Sequence, residues 1–110
     1  MAYQVVWSPE AVADVEAIAH YIARDSAAYA QAVVEKIIEM ARQVREFPFL
    51  GRMVPEVGQE TIRERFVYSY RLIYRIRNTT ITIAAVIHGR RLLGPLRERL
   101  EGHGDNPAEG

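Results

Sequence analysis

The sequence predicts a small α+β domain, a helical hairpin packed on an antiparallel β-sheet in the order β-α-α-β-β-β. Three observations carry this. Apolar side chains recur every three or four positions from Val12 to Val44, the period changes to two after Ile62, and the links between elements are short. At 110 residues the chain has room for one core, and 49% apolar composition is enough to fill it.

Residues 3 to 7, "YQVVW", are short and rich in β-formers, which predicts a first strand. Ser8-Pro9-Glu10 then supplies an N-cap hydroxyl, a proline at the first helical position and an acid in the first turn. Val12, Val15, Ala19 and Ile22, with Ala11 and Ile18 beside them, give the expected buried stripe of the first helix. Asp25-Ser26 interrupts and recaps. Ala30, Val33, Ile37, Met40 or Ala41, and Val44 carry a longer second helix to Phe47, where Pro48 ends it. So short a link between two amphipathic helices makes them an antiparallel hairpin.

Residues 48 to 60, "PFLGRMVPEVGQE", contain two prolines and two glycines and read as a loop, whose Phe49, Leu50, Met53, Val54 and Val57 are expected against the core. "IRERFVY", "RLIYRIR" and "TITIAAVI" follow as three strands, joined near Ser69-Tyr70 and Asn78-Thr79 as an antiparallel meander. In the middle one, Leu72, Tyr74 and Ile76 alternate with Arg71, Ile73, Arg75 and Arg77, so three arginines share the face opposite the core. The last is apolar on both faces, which suits a central strand. Leu92, Leu93, Leu96 and Leu100 around Gly94-Pro95 suggest a short docking segment that completes a domain of residues 1 to 100. Residues 101 to 110, "EGHGDNPAEG", are too polar and too rich in Gly and Pro to pack, and are expected to be a flexible tail.

No apolar run is long enough to span a membrane, and the N-terminus lacks the basic and apolar regions of an export leader, so a cytoplasmic protein without a membrane partner is expected. The absence of cysteine excludes disulfides and thiolate metal sites. His20, His88 and His103 show no ligand spacing, and no metal or cofactor is expected. A net charge of zero conceals an asymmetry. Residues 1 to 60 carry five cationic and nine anionic side chains, residues 61 to 100 carry nine and two, and the tail carries none and three. Basic charge concentrated on one segment is the footprint of a protein that meets phosphates or an acidic partner. Apart from Lys36 every cation is an arginine, suited to bidentate recognition and charge stabilisation more than to proton transfer.

"VIHGRR" closes the last strand. An imidazole there suits acid-base work near neutrality, and equally suits a strand-end histidine that hydrogen-bonds a neighbour. Gly89 reads as a strand terminator or a point of close approach. "FPFLGRMVPE" after the second helix, "YSYRLIYRI" in a middle strand and "VIHGRR" at the end of the last, in that order from Tyr3 to Arg91, resemble the RelE/ParE superfamily of bacterial toxins. The resemblance implies the toxin of a type II toxin-antitoxin system, held by its cognate antitoxin in a hetero-oligomer. It also implies one of two activities, because one scaffold carries both.

RelE-like members cut messenger RNA on the ribosome. In that reading Arg71 matches a phosphate-stabilising arginine, His88 falls near a catalytic histidine, and Glu56 corresponds loosely to a loop carboxylate. The sequence departs from that branch in having no lysine after Lys36 and in placing Gly89 where one subtype carries an aromatic. ParE-like members poison DNA gyrase without recognised nuclease residues. The combination of "GRMVPE", "YRLIYR" and "HGRR" is closer to them, so poisoning of gyrase is the leading expectation. A non-toxic RNA- or protein-binding module is the third reading. Under the ParE-like reading Arg63, Arg65, Arg71, Arg75, Arg77, His88, Arg90 and Arg91 supply target- or antitoxin-binding surface, and their charges are expected to converge on one cationic concavity.

Overall fold

The structure, a computed structural model of the chain, describes residues 2–90 and 98–100. Its elements follow the expected order: β1 (Gln4–Trp7), α1 (Pro9–Ala23), α2 (Ala27–Glu46), a 3-10 turn (Pro48–Leu50), β2 (Arg52–Met53), β3 (Ile62–Val67), β4 (Tyr70–Arg77) and β5 (Thr80–His88). They form a helical hairpin on a five-stranded sheet ordered β1-β5-β4-β3-β2. The meander β3-β4-β5 is antiparallel, as is the β2-β3 pair, while β1 runs parallel to β5. The hairpin carries the chain from β1 across the sheet to β2 at the far edge, and the meander returns until β5 lies beside β1 in the same direction. β5 is therefore interior, although β4 holds the middle position.

Local chemistry accounts for the helix boundaries. Ser8 Oγ accepts from the Ala11 amide at 3.1 Å and donates to the Ala84 carbonyl at 3.3 Å, so one hydroxyl caps α1 and ties it to β5. Ser26 Oγ caps α2 by accepting from the Tyr29 amide at 3.0 Å. Pro48 follows the C-cap Phe47 and stops the helix.

The sheet carries apolar clusters on both faces. The larger, on the helix side, joins Ala11, Val33, Ile37, Ala41 and Val44 of the hairpin to Val67, Leu72, Tyr74, Ile76, Ile81, Ile83 and Val86 of the sheet. On α1 the stripe runs through Ala11, Val15, Ile18 and Ile22; Val12, expected within it, is exposed because it sits one position round the helix from Ala11. The smaller cluster, on the opposite face, contains Val54, Ile62, Ile73, Ala84, Ala85, Ile87 and Leu100. Of the loop residues expected against the core, Val54 is buried and Val57 packs against this second cluster. Phe49, Leu50 and Met53 are exposed, since the 3-10 turn and β2 carry them along the sheet edge and not beneath it.

A β-bulge makes β5 apolar on both faces. Tyr74 pairs with Ile83 and Ile73 with Ala85, leaving Ala84 as the extra residue. Ile81 and Ile83 face the helices before the bulge and Val86 faces them after it. The bulge lies beyond the end of β1, and α1 takes up backbone groups there. The Val86 amide donates to Asp14 Oδ2 at 2.9 Å, and Arg99 grips the same carboxylate at 2.7 and 3.0 Å. Leu92, Leu93, Leu96, Arg91 and the tail 101–110 lie outside the described residues.

Candidate functional site

The loop and strand motifs meet at Arg71. Its β4 position is cross-paired to Phe66 and Ile87, on the face of the smaller cluster, and its side chain is almost wholly buried. A guanidinium in such a place requires anionic partners. Arg71 Nε donates to Glu64 Oε1 at 2.7 Å, and Nη1 and Nη2 make a bidentate pair with Glu56 at 3.0 and 2.7 Å. Glu64, with no exposed side-chain surface, receives a second guanidinium through Nε of Arg52. Arg52, Glu64, Arg71 and Glu56 thus alternate in sign along one ionic chain that fastens the "GRMVPE" loop to the sheet. Arg71 holds the Glu56 carboxyl below the ordinary carboxylate range, and Glu56, followed by Glu64, strengthens the hold of Arg71 on its proton.

The same loop is fixed from the helix side. Tyr74 donates its hydroxyl to the Pro48 carbonyl at 2.6 Å, and burial raises the pKa of this phenol. Gly51 lies so close that an added Cβ would collide with the Tyr74 hydroxyl and come within 2.7 Å of the Glu64 carbonyl oxygen. Glycine is demanded there by space.

The expected cationic concavity does not form, because the pairing register divides its members between two faces. Arg63 and Arg65 alternate with Ile62, Glu64 and Phe66 and so share the helix face with Val67. Arg63 donates to the carbonyls of Glu60, Phe49 and Gly51 at 2.8, 3.2 and 2.9 Å and lies over the Phe49 ring. Arg65 reaches Gln43 of α2 at 3.4 Å. Arg71, Arg75 and Arg77 share the other face, where Arg75 donates to the Leu100 carbonyl at 2.9 Å and Arg77 is exposed at the strand end.

His88 pairs with Tyr70 in the ladder while Arg71 pairs with Ile87, so imidazole and guanidinium project from opposite faces. The His88 ring meets the Tyr70 ring edge-on at 5.9 Å, and its Nδ1 accepts from the Arg90 amide at 3.2 Å. Gly89 is a point of close approach: its amide donates to the Ser69 carbonyl at 2.7 Å, closing the end of the β4-β5 ladder. Arg90 is exposed beside it, and Arg91 lies outside the described residues. Among the described residues no group of three or more His, Cys, Asp or Glu side chains is placed to hold a metal ion. Among the same described residues no helix is long and apolar enough to cross a membrane.

Sequence reasoning missed Glu64 and Arg52. The available signal was a lone glutamate in phase with Ile62 and Phe66 on a strand whose neighbour offers an arginine on the same face.

No curated protein sequence matches the chain. Thirteen solved chains do. One, described as the chromosomal ParDE TA system from P. aeruginosa, is 20% identical, with a TM-score of 0.65 over 78% of this chain and 95% of its own. The YoeB dimer from Staphylococcus aureus aligns over the same shares at 19% identity and a TM-score of 0.55. The YoeB-YefM complex from that organism does so at 18% and 0.52. These likenesses show a shared fold. The family described as the ParE toxin of type II toxin-antitoxin system, parDE, matches residues 5–93. That span takes in both helices, the whole sheet from Val5 onward and the Arg52-Glu64-Arg71-Glu56 chain, and the protein belongs to this family of ParE toxins.

Proposed function

We propose that the chain arrests growth by binding and poisoning DNA gyrase, and that a cognate antitoxin neutralises it in a cytoplasmic hetero-oligomer. The observation that supports this reading over RNA cleavage is the separation of Arg71 from His88. A ribonuclease of this kind needs a cation at the phosphate and an acid or base within hydrogen-bond reach of the same ribose. Here the guanidinium is enclosed by two carboxylates on one face and the imidazole lies on the other. Arg71 then works as a clasp. The exposed His88, Arg77 and Arg90, with Arg63, Arg65 and Arg75 near the surface and Arg91 next in sequence, supply contact and charge.

Expression from a tightly repressed promoter tests this. The expected result is a DNA-damage response with intact messenger RNA, together with loss of supercoiling by purified gyrase when the purified chain is added. Codon-linked RNA ends would overturn it. His88→Ala is expected to retain toxicity, and its loss in a folded variant would restore the proton-transfer role. The RelE-like alternative keeps one observation in its favour, the direct bidentate contact of Glu56 with Arg71, two of the three residues such a nuclease would use. A chain without effect on growth would leave the non-toxic binding module.

A further inference from the structure

Four tyrosines gather where the tip of the helical hairpin meets the β3-β4 turn; Tyr70 packs against the edge of the helix-side cluster, and neither the ionic chain nor the core accounts for the exposed Tyr21, Tyr29 and Tyr68. Tyr21, Tyr29 and Tyr68 expose 66%, 51% and 54% of their surface. Tyr68 lies 6.3 Å from Tyr29, ring to ring, Tyr70 meets the His88 ring edge-on at 5.9 Å, and the phenols of Tyr29 and Tyr21 are near enough to Tyr70 to help raise its pKa, after burial. Apolar burial does not hold exposed rings together in this way.

Backbone geometry adds an independent observation. Only two non-glycine residues have positive φ among those described, Asn78 at 53° in the β4-β5 turn and Tyr68 at 56° in the β3-β4 turn. Asparagine tolerates the left-handed region because its short amide hydrogen-bonds locally. Tyrosine gains nothing comparable and pays in strain. A bulky residue kept in a sparsely populated region is a sign that its side chain is needed where that backbone puts it.

The chemistry of the surface selects its ligand. The Tyr29 and Tyr68 rings meet at 57°, and Tyr70 stands at 77° to His88, so the rings form a ridged apolar relief suited to side chains, not a ladder of parallel faces for successive bases. Around the rings are hydrogen-bond donors. The Arg24 guanidinium lies 5.6 Å over Tyr21, and the Tyr70 phenol is a donor whose pKa is raised by burial and then by the neighbouring Tyr29 and Tyr21. Carboxylates accept from both kinds of donor, and exposed Tyr beside Arg is the composition of a protein-binding hot spot.

We infer that Tyr21, Tyr29, Tyr68 and Tyr70 form a docking surface for an acidic, apolar-anchored segment of the neutralising antitoxin, with Tyr68 as its strained anchor. This rests on the reading of the chain as a neutralised toxin. The full-length chain and its Tyr68→Gly and Tyr29→Ala variants are titrated with the purified cognate antitoxin, and each is melted. Glycine relieves the strained angle, so Tyr68→Gly is expected to melt at or above the parent midpoint while binding the antitoxin at least about tenfold more weakly. Tyr29→Ala, on an exposed helix position, is expected to weaken binding without loss of fold. Antitoxin binding as tight as the parent's in both variants overturns the inference and leaves neutralisation standing. A parent chain that does not bind the antitoxin overturns the neutralisation reading itself. Oligo-dT binding by the parent that Tyr68→Gly loses, with antitoxin binding unchanged, would assign the surface to nucleic acid and overturn the inference.

Discussion

Arg52 and Glu56 of the loop and Arg71 of β4 belong to one ionic chain through Glu64, and this fixes what substitution at each does. Arg71→Ala removes one of the two guanidinium partners of the fully buried Glu64 carboxylate and leaves only Arg52, so it is expected to cost about 3 kcal/mol in urea unfolding, the low end of what breaking a buried pair costs. Replacing Arg71 and Glu64 together by leucine is expected to recover most of that loss, because the cost is a buried charge left incompletely compensated and not a missing attraction. Loss of toxicity in a fully stable Arg71→Ala chain would instead argue for contact with the target. The Glu56 carboxyl is held below its ordinary value by Arg71, so its contribution is present above about pH 4.5 and is lost as pH falls through the lower folded value. The melting temperature is expected to decline between about pH 5 and pH 3, and Glu56→Gln to flatten that decline. Little of this was legible in the sequence. Alternation places Arg71 opposite the helices, but does not reveal that a second apolar cluster covers that face, and Glu64 counts as one more charge until Ile73 is known to lie across from it.

The elements were the most legible part, because their signals are local. Ser8-Pro9 and Ser26 start the two helices and Pro48 ends the second within a few residues of each boundary. The loop was the least legible. Its prolines and glycines announce irregular backbone, but Phe49, Leu50 and Met53 look like core until the 3-10 turn and β2 set them on an edge. Gly51 carries the tightest constraint in this element. Gly51→Ala is expected to cost about 1 to 3 kcal/mol by chemical denaturation, since both the Tyr74 hydroxyl and the backbone of β3 must yield. An alanine variant as stable as the parent would mean that the loop is held more loosely than its contacts with Tyr74 and β3 imply.

At the scale of the molecule, the sheet has apolar clusters on both sides, and the smaller one recruits Leu100 while Arg99 clasps Asp14 of α1. A chain ending after Leu100 is expected to melt like the parent. One ending after Arg90 is expected to lose about 2 to 4 kcal/mol through the missing leucine and ion pair. Equal melting of all three would place the domain boundary before residue 98. The bulge at Ala84 decides more than packing. In an unbroken register β5 would advance by one residue past Ile83, turning every later side chain over, and the imidazole of His88 would emerge beside Arg71 and not beside Tyr70. An alanine with no reactive group thereby acts as the phase setting of the sheet. Lineages built on this scaffold could gain or forfeit a proton-transfer pair by sliding one strand, with every chemically active residue left in place.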